Sequence, residues 1–190
     1  MTRLLGISGS LRTGSINTAL LRAAQQGAAP EVQLEIVTLH GIPVYDGDVE
    51  SSTGIPAAVT SLKEKVAAAD GVMIATPEYN GGVPGVLKNA IDWLSRPSAD
   101  SKRIFNGRPF ALLGATPGGL GTVASQNAWL PILKKLRTET WGGGWLTVSH
   151  APTLMDASGA YTDAATRKQL ADFVNGFAAF AQAQRRQVTA

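Results

Sequence analysis

Leu4-Leu5-Gly6-Ile7-Ser8 runs directly into Gly9-Ser10-Leu11-Arg12-Thr13-Gly14-Ser15-Ile16-Asn17, after which the apolar residues recur at helical spacing. An apolar strand, a loop of glycines and hydroxyl residues with one arginine, and a helix opening form a phosphate cradle. Hydroxyls and backbone N–H groups converge at a helix N-terminus, where the helix dipole favours negative charge. Ser10, Ser15 and Asn17 supply short donors, and Arg12 adds a forked charge suited to phosphate oxygens. A plainer alternative stays open for these residues alone: Ser15 only caps the helix, Arg12 is solvated, and Gly9 and Gly14 only make turns. The stretch contains no G-x-x-x-x-G-K-[ST], and Gly6, Gly9 and Gly14 do not give G-x-G-x-x-G. Those absences argue against triphosphate hydrolysis and against a dinucleotide fingerprint.

Outward from this stretch, apolar runs recur at Arg3 to Ser8, Val32 to Leu39, Gly71 to Thr76, Pro109 to Ala115 and Trp145 to Ser149. Between and after them, Ser15 to Gln26, Pro56 to Ala69, Val86 to Ser95, Ser125 to Arg137 and Thr162 to Gln184 show i, i+3, i+4 apolar spacing. Strict alternation of strand and helix predicts an α/β fold, with a parallel sheet and helices on both faces. Five such units suit a flavodoxin-like three-layer sandwich with a five-stranded sheet in the order 2-1-3-4-5. That order opens a crevice where strands one and three end. The connection from His40 to Gly54 reads as a polar, turn-rich loop.

Two further loops share that sheet edge. In Thr76-Pro77-Glu78-Tyr79-Asn80-Gly81-Gly82, Pro77 turns the chain out of the strand and Tyr79 offers an aromatic surface. Gly81 and Gly82 let backbone approach a planar ligand such as a flavin, although an ordinary strand-to-helix turn has the same ingredients. Thr116-Pro117-Gly118-Gly119-Leu120-Gly121 follows strand four, and its hydroxyl and amides are placed to complete a pocket wall or a flexible turn.

Composition bounds the rest. The 190 residues fit one domain, which buries about 70% of the surface its unfolded chain exposes. A hydrophobic fraction of 44% predicts a packed core. No cysteine is present, which excludes disulfides, thiolate nucleophiles and sulfur-bound metals. The net charge is only +3, and short basic groups such as Lys134-Lys135 and Arg185-Arg186 read as solvated helix faces, so nucleic acid is not an expected partner. No apolar window is long enough to span a membrane, and no signal-type start is seen, so a cytoplasmic location is expected. His40 and His150 read as structural histidines, Asp46 and Asp48 as a solvated loop, and no metal site is expected. Trp129, Trp141 and Trp145 are open to roles in core, interface or substrate wall.

The three loops, in this order and at these separations, resemble the NADPH-dependent FMN reductase family, which includes chromate and quinone reductases and azoreductases of flavodoxin-like fold. The likeness runs from Arg3 to about Phe180. It implies that Ser10, Arg12, Ser15, Ile16 and Asn17 bind the FMN phosphate, Ile16 through its backbone. Pro77, Glu78, Tyr79 and Asn80 would border the isoalloxazine and ribityl chain, and Thr116, Pro117, Gly118 and Gly119 the other side of the flavin. It further implies hydride transfer from NADPH or NADH to FMN, then to a quinone, azo, flavin or metal-oxyanion acceptor, with no catalytic side chain. The rival is a non-enzymatic FMN-binding electron carrier. Members often read Gly-Gly-x-Arg-Ala-Gln after the third loop, whereas this chain has Ala124 at the arginine position, in a region that builds subunit contacts. A homodimer or homotetramer is the implied assembly, and the missing arginine bears on which.

Overall fold

Alternation along β1 (Thr2–Ser8) sends Leu4 to one face of the sheet and Leu5 and Ile7 to the other, and all three are buried. The computed structural model describes residues 1–189, with side chains through Gln184, so Arg185 and Arg186 lie outside the described side chains. β1 is flanked by β2 (Val32–Val37) and β3 (Gly71–Ala75), and β4 (Pro109–Ala115) lies beyond β3, all parallel. The order is 2-1-3-4-5, as the alternation predicts.

The fifth position departs from the expected single strand. β5 (Glu139–Thr140) pairs with Pro109–Phe110, and β6 (Leu146–Val148) pairs with Leu113–Ala115, so two short segments share one edge. Trp141 follows β5 directly, and its N still donates to Phe110 O at 2.7 Å. Its ring meets Phe173 edge-on at 5.0 Å and Phe177 at 5.7 Å, and Gly143 and Gly144 pass so close to the indole that any Cβ there would overlap it. Trp129 is wholly buried, whereas Trp145 is 55% exposed.

One face of the sheet is covered by α1 (Ile16–Gln26) and α7 (Ala164–Thr189). The other is covered by α3 (Ala57–Ala68), α4 (Gly85–Leu94) and α6 (Val123–Lys135). Gly27 lets α1 close on α7, since a Cβ there would stand 2.8 Å from Ala171 Cβ, and the Asn175 amide donates to Gly27 O at 3.1 Å. α1 therefore ends before Pro30. Two helices were not expected. α2 (Gly47–Thr53) lies within the His40 to Gly54 loop and buries no residue, so no apolar periodicity marks it; Asp46 caps it through Asp48 N at 2.8 Å. α5 (Ser98–Phe105) buries only Ile104 and Phe105 and is moored by buried Lys63, whose Nζ donates to Asp100 at 3.1 Å and to Arg96 O. No helix among the described residues is long and apolar enough to cross a membrane.

Asp163 starts α7: one carboxylate oxygen accepts from Thr166 N and Thr166 Oγ1, both at 2.7 Å. The Thr166 backbone bond, then its hydroxyl, hold the Asp163 carboxyl below its usual pKa. The folded-state pKa is depressed, so this stabilisation is complete above the ordinary carboxylate range and is lost as pH falls through the folded value. Asp163→Ala is expected to lower the melting temperature at neutral pH, with the gap from the native chain narrowing under acid conditions in the same thermal melts.

Candidate functional site

Three loops leave the sheet where β1, β3 and β4 end, and their spacing is set by a missing side chain. Gly9 N donates to Ala75 O at 2.9 Å, and a Cβ on Gly9 would stand 2.8 Å from both Pro77 Cδ and Leu87 Cδ2. The first and second loops abut there.

The first loop is folded by its own polar groups. Arg12 N donates to Ser10 Oγ at 3.3 Å, and Ser15 N donates to Arg12 O at 3.1 Å. Ser15 is the N-cap of α1, its Oγ accepting from Thr18 N at 3.2 Å, which leaves its hydroxyl hydrogen to donate elsewhere. The amides of Ile16 and Asn17, first in the helix, have no intrahelical acceptor. The Arg12 guanidinium is exposed and makes no ion pair or hydrogen bond among the described residues. His40, read as structural, braces this loop: its Nε2 donates to Leu11 O at 3.1 Å while Nδ1 meets Thr38 Oγ1 at 3.0 Å. Buried Tyr161 donates to Ile16 O at 3.4 Å, and burial pushes its phenol pKa up, keeping it a neutral donor.

Asn17 has a second occupation that the sequence did not signal. Its Oδ1 accepts from Ala115 N and its Nδ2 donates to Ala115 O, both at 2.9 Å, clamping the start of α1 to the last residue of β4. The partners stand 98 residues apart, so no local pattern marks the bond. What Asn17 still offers a ligand is its backbone amide and its second amide hydrogen.

In the second loop, Pro77 is buried, Glu78 is half-buried and Tyr79 is 52% exposed. Tyr79 and Gly82 exchange backbone hydrogen bonds of 3.3 and 3.0 Å around Asn80 (φ 52°) and Gly81 (φ 71°). Two successive left-handed residues make this a type I′ turn, which is why Asn-Gly occupies it. The third loop is strapped to the segment after β6. His150 N donates to Gly118 O at 2.9 Å, Ala151 N to Thr116 O at 3.0 Å and Ser149 Oγ to Gly119 O at 2.9 Å.

Together the loops enclose a cavity of about 280 Å³ lined by Ser10, Arg12, Ser15, Ile16, Asn17, Pro77, Glu78, Tyr79, Thr116 and Pro117. Asn80, at the tip of its turn, and Gly118 and Gly119 do not line it. Gly14, Ala115 and Pro152 do, and had not been singled out as ligand contacts. Pro152 arrives from a 3-10 turn (Ala151–Leu154) that follows β6, a position reached only through the tertiary fold. Among the described residues no group of three His, Asp or Glu side chains is placed to hold a metal ion.

A parallel sheet in this order, flanked by helices and with its crevice where β1 and β3 end, is the flavodoxin-like fold. The chain belongs to the NADPH-dependent FMN reductase family, which matches residues 2–153. It is 41% identical over 166 residues to an NAD(P)H-dependent FMN reductase of Pseudomonas aeruginosa, covering 87% of this chain and 88% of that one. It is 34% identical over 179 residues to a 2-hydroxy-1,4-benzoquinone reductase of a Burkholderia species, covering 94% and 96%. Among solved structures, the flavoenzyme NAD(P)H:(acceptor) oxidoreductase FerB of Paracoccus denitrificans superposes with a TM-score of 0.85 at 29% identity, over 97% of this chain and 99% of that one.

Asn17→Ala removes both bonds to Ala115 and is expected to cost about 1 to 3 kcal/mol of stability, the scale of two ordinary hydrogen bonds. Urea unfolding of the native and variant chains measures it.

Proposed function

We propose that the chain binds FMN in this cavity and uses NADPH or NADH to reduce quinones. The observation that carries the reading is the set of donors left without partners in the first loop. The Ser15 hydroxyl hydrogen, the Ile16 and Asn17 amides and the Arg12 guanidinium border one cavity at a helix N-terminus, a donor set suited to a phosphate dianion. Ser10, whose oxygen already accepts from Arg12 N, has its hydroxyl hydrogen to add.

Bound FMN supplies the two-electron chemistry, exchanging hydride with a nicotinamide and electrons with an acceptor. The protein's part is placement. Arg12 and the α1 amides hold the phosphate end. Pro77, Glu78, Tyr79 and Asn80 would border the ring and ribityl chain from one side. Thr116, Pro117, Gly118 and Gly119 would border it from the other. Half-exposed Tyr79 leaves an aromatic surface at an open mouth, which favours flat acceptors such as quinones. Azo compounds, free flavin and metal oxyanions are further acceptor classes for the same open space. Leu120, Val123 and Leu130 expose apolar surface around the third loop and α6, which supports self-association as a homodimer or homotetramer.

Reconstitution with FMN, followed by NADPH and NADH oxidation with benzoquinone, tests the activity. Turnover above that of free FMN is expected; none would leave an electron carrier. Arg12→Ala is expected to weaken FMN binding by about 1.5 to 3 kcal/mol, the worth of a hydrogen bond to a charged group. Unchanged affinity in a flavin-fluorescence titration refutes the phosphate assignment.

A further inference from the structure

Glu78 lines the cavity, yet its carboxylate is committed elsewhere. Oε2 accepts from Ser125 N at 3.1 Å. Ser125 is the third residue of α6, so its amide has no intrahelical acceptor, and the carboxylate lies at the positive end of that helix. A second contact runs alongside the first. Wholly buried Thr76, the residue before Pro77, meets Ser125 Oγ at 2.8 Å and accepts from Trp129 Nε1 at 3.0 Å. Thr76 and Glu78 are therefore joined to the first two turns of α6 by three hydrogen bonds.

α6 begins where the third loop ends. The loop runs from Thr116 to Thr122, and Thr122 is packed against Gly114 so closely that a Cβ there would overlap its hydroxyl. Where α6 starts thus limits where the third loop can lie. We infer that Glu78 is a positioning residue: its carboxylate stitches the second loop to the α6 N-terminus and so fixes the separation of the two loops that flank the ligand. This rests on the FMN reading only for its consequence in binding. The stitch itself is made of protein atoms alone.

The exchange of the Ser125 amide in the full-length, ligand-free protein reads the stitch directly, and FMN affinity reads its consequence. Glu78→Ala removes the acceptor; Glu78→Gln removes the charge but keeps an oxygen for Ser125 N. The alanine variant is expected to speed Ser125 exchange and raise the FMN dissociation constant by roughly tenfold each, about the weight of one charge-assisted hydrogen bond. The glutamine variant should restore most of both. If alanine fails to fold, glutamine with near-native Ser125 protection and FMN affinity still supports positioning. Two results overturn it: Ser125 exchange unchanged in the alanine variant, or glutamine losing FMN affinity with Ser125 fully protected, which makes the charge act on the ligand itself. A native chain that binds no FMN while Glu78→Ala still speeds Ser125 exchange sinks the cofactor reading and leaves the stitch standing.

Discussion

Close approach of the three strand exits is the constraint on which this structure depends, and it is met by removing side chains. At Gly9 a Cβ would press on Pro77 and Leu87; at Gly114 it would strike Thr122 Oγ1 and stand 2.5 Å from Thr76 O. With both positions bare, loops from β1, β3 and β4 converge on one cavity. Polar bonds then lock the arrangement, Asn17 joining the first exit to β4 and Glu78 joining the second to α6. Glycine thus supplies the proximity and hydrogen bonding supplies the register.

The parts legible in the sequence are those whose meaning is local. Strands buried on both faces read as short apolar runs, and loops that hold a ligand directly after a strand keep their donors within a few residues of each other, as Ser10 to Asn17 do. What was hidden depends on distant partners or on missing burial. Pro152 reaches the cavity through strand pairing, and the Asn17 clamp spans most of the domain. α2 buries nothing, so hydrophobic spacing had nothing to detect. At the divided fifth strand the Trp141 backbone stays bonded to Phe110 O while its ring turns onto α7, a packing visible only once Phe173 and Phe177 are in place.

Asn80, Gly118 and Gly119 have a visible part in shaping their loops. The type I′ turn puts Asn80 at its tip, and the carbonyl oxygens of Gly118 and Gly119 accept from His150 N and Ser149 Oγ. These residues shape the loops whose neighbours, Tyr79 and Thr116, line the cavity. Ser15 shows the converse, because cap and ligand donor were alternatives for it and prove compatible. A cap uses the hydroxyl oxygen as acceptor, whereas a phosphate needs the hydroxyl hydrogen.

That division of labour extends to the whole interior. Among the described residues no buried side-chain nitrogen or oxygen lacks a hydrogen-bond partner. At the cavity, donors without protein partners stand at the first turn of α1 and on Arg12, open to water or a ligand. An anion bound there, as proposed, would exchange water for its oxygens around groups already held by the Ser15 cap, the His40 brace and the Tyr161 bond, with little chain ordering left to oppose it.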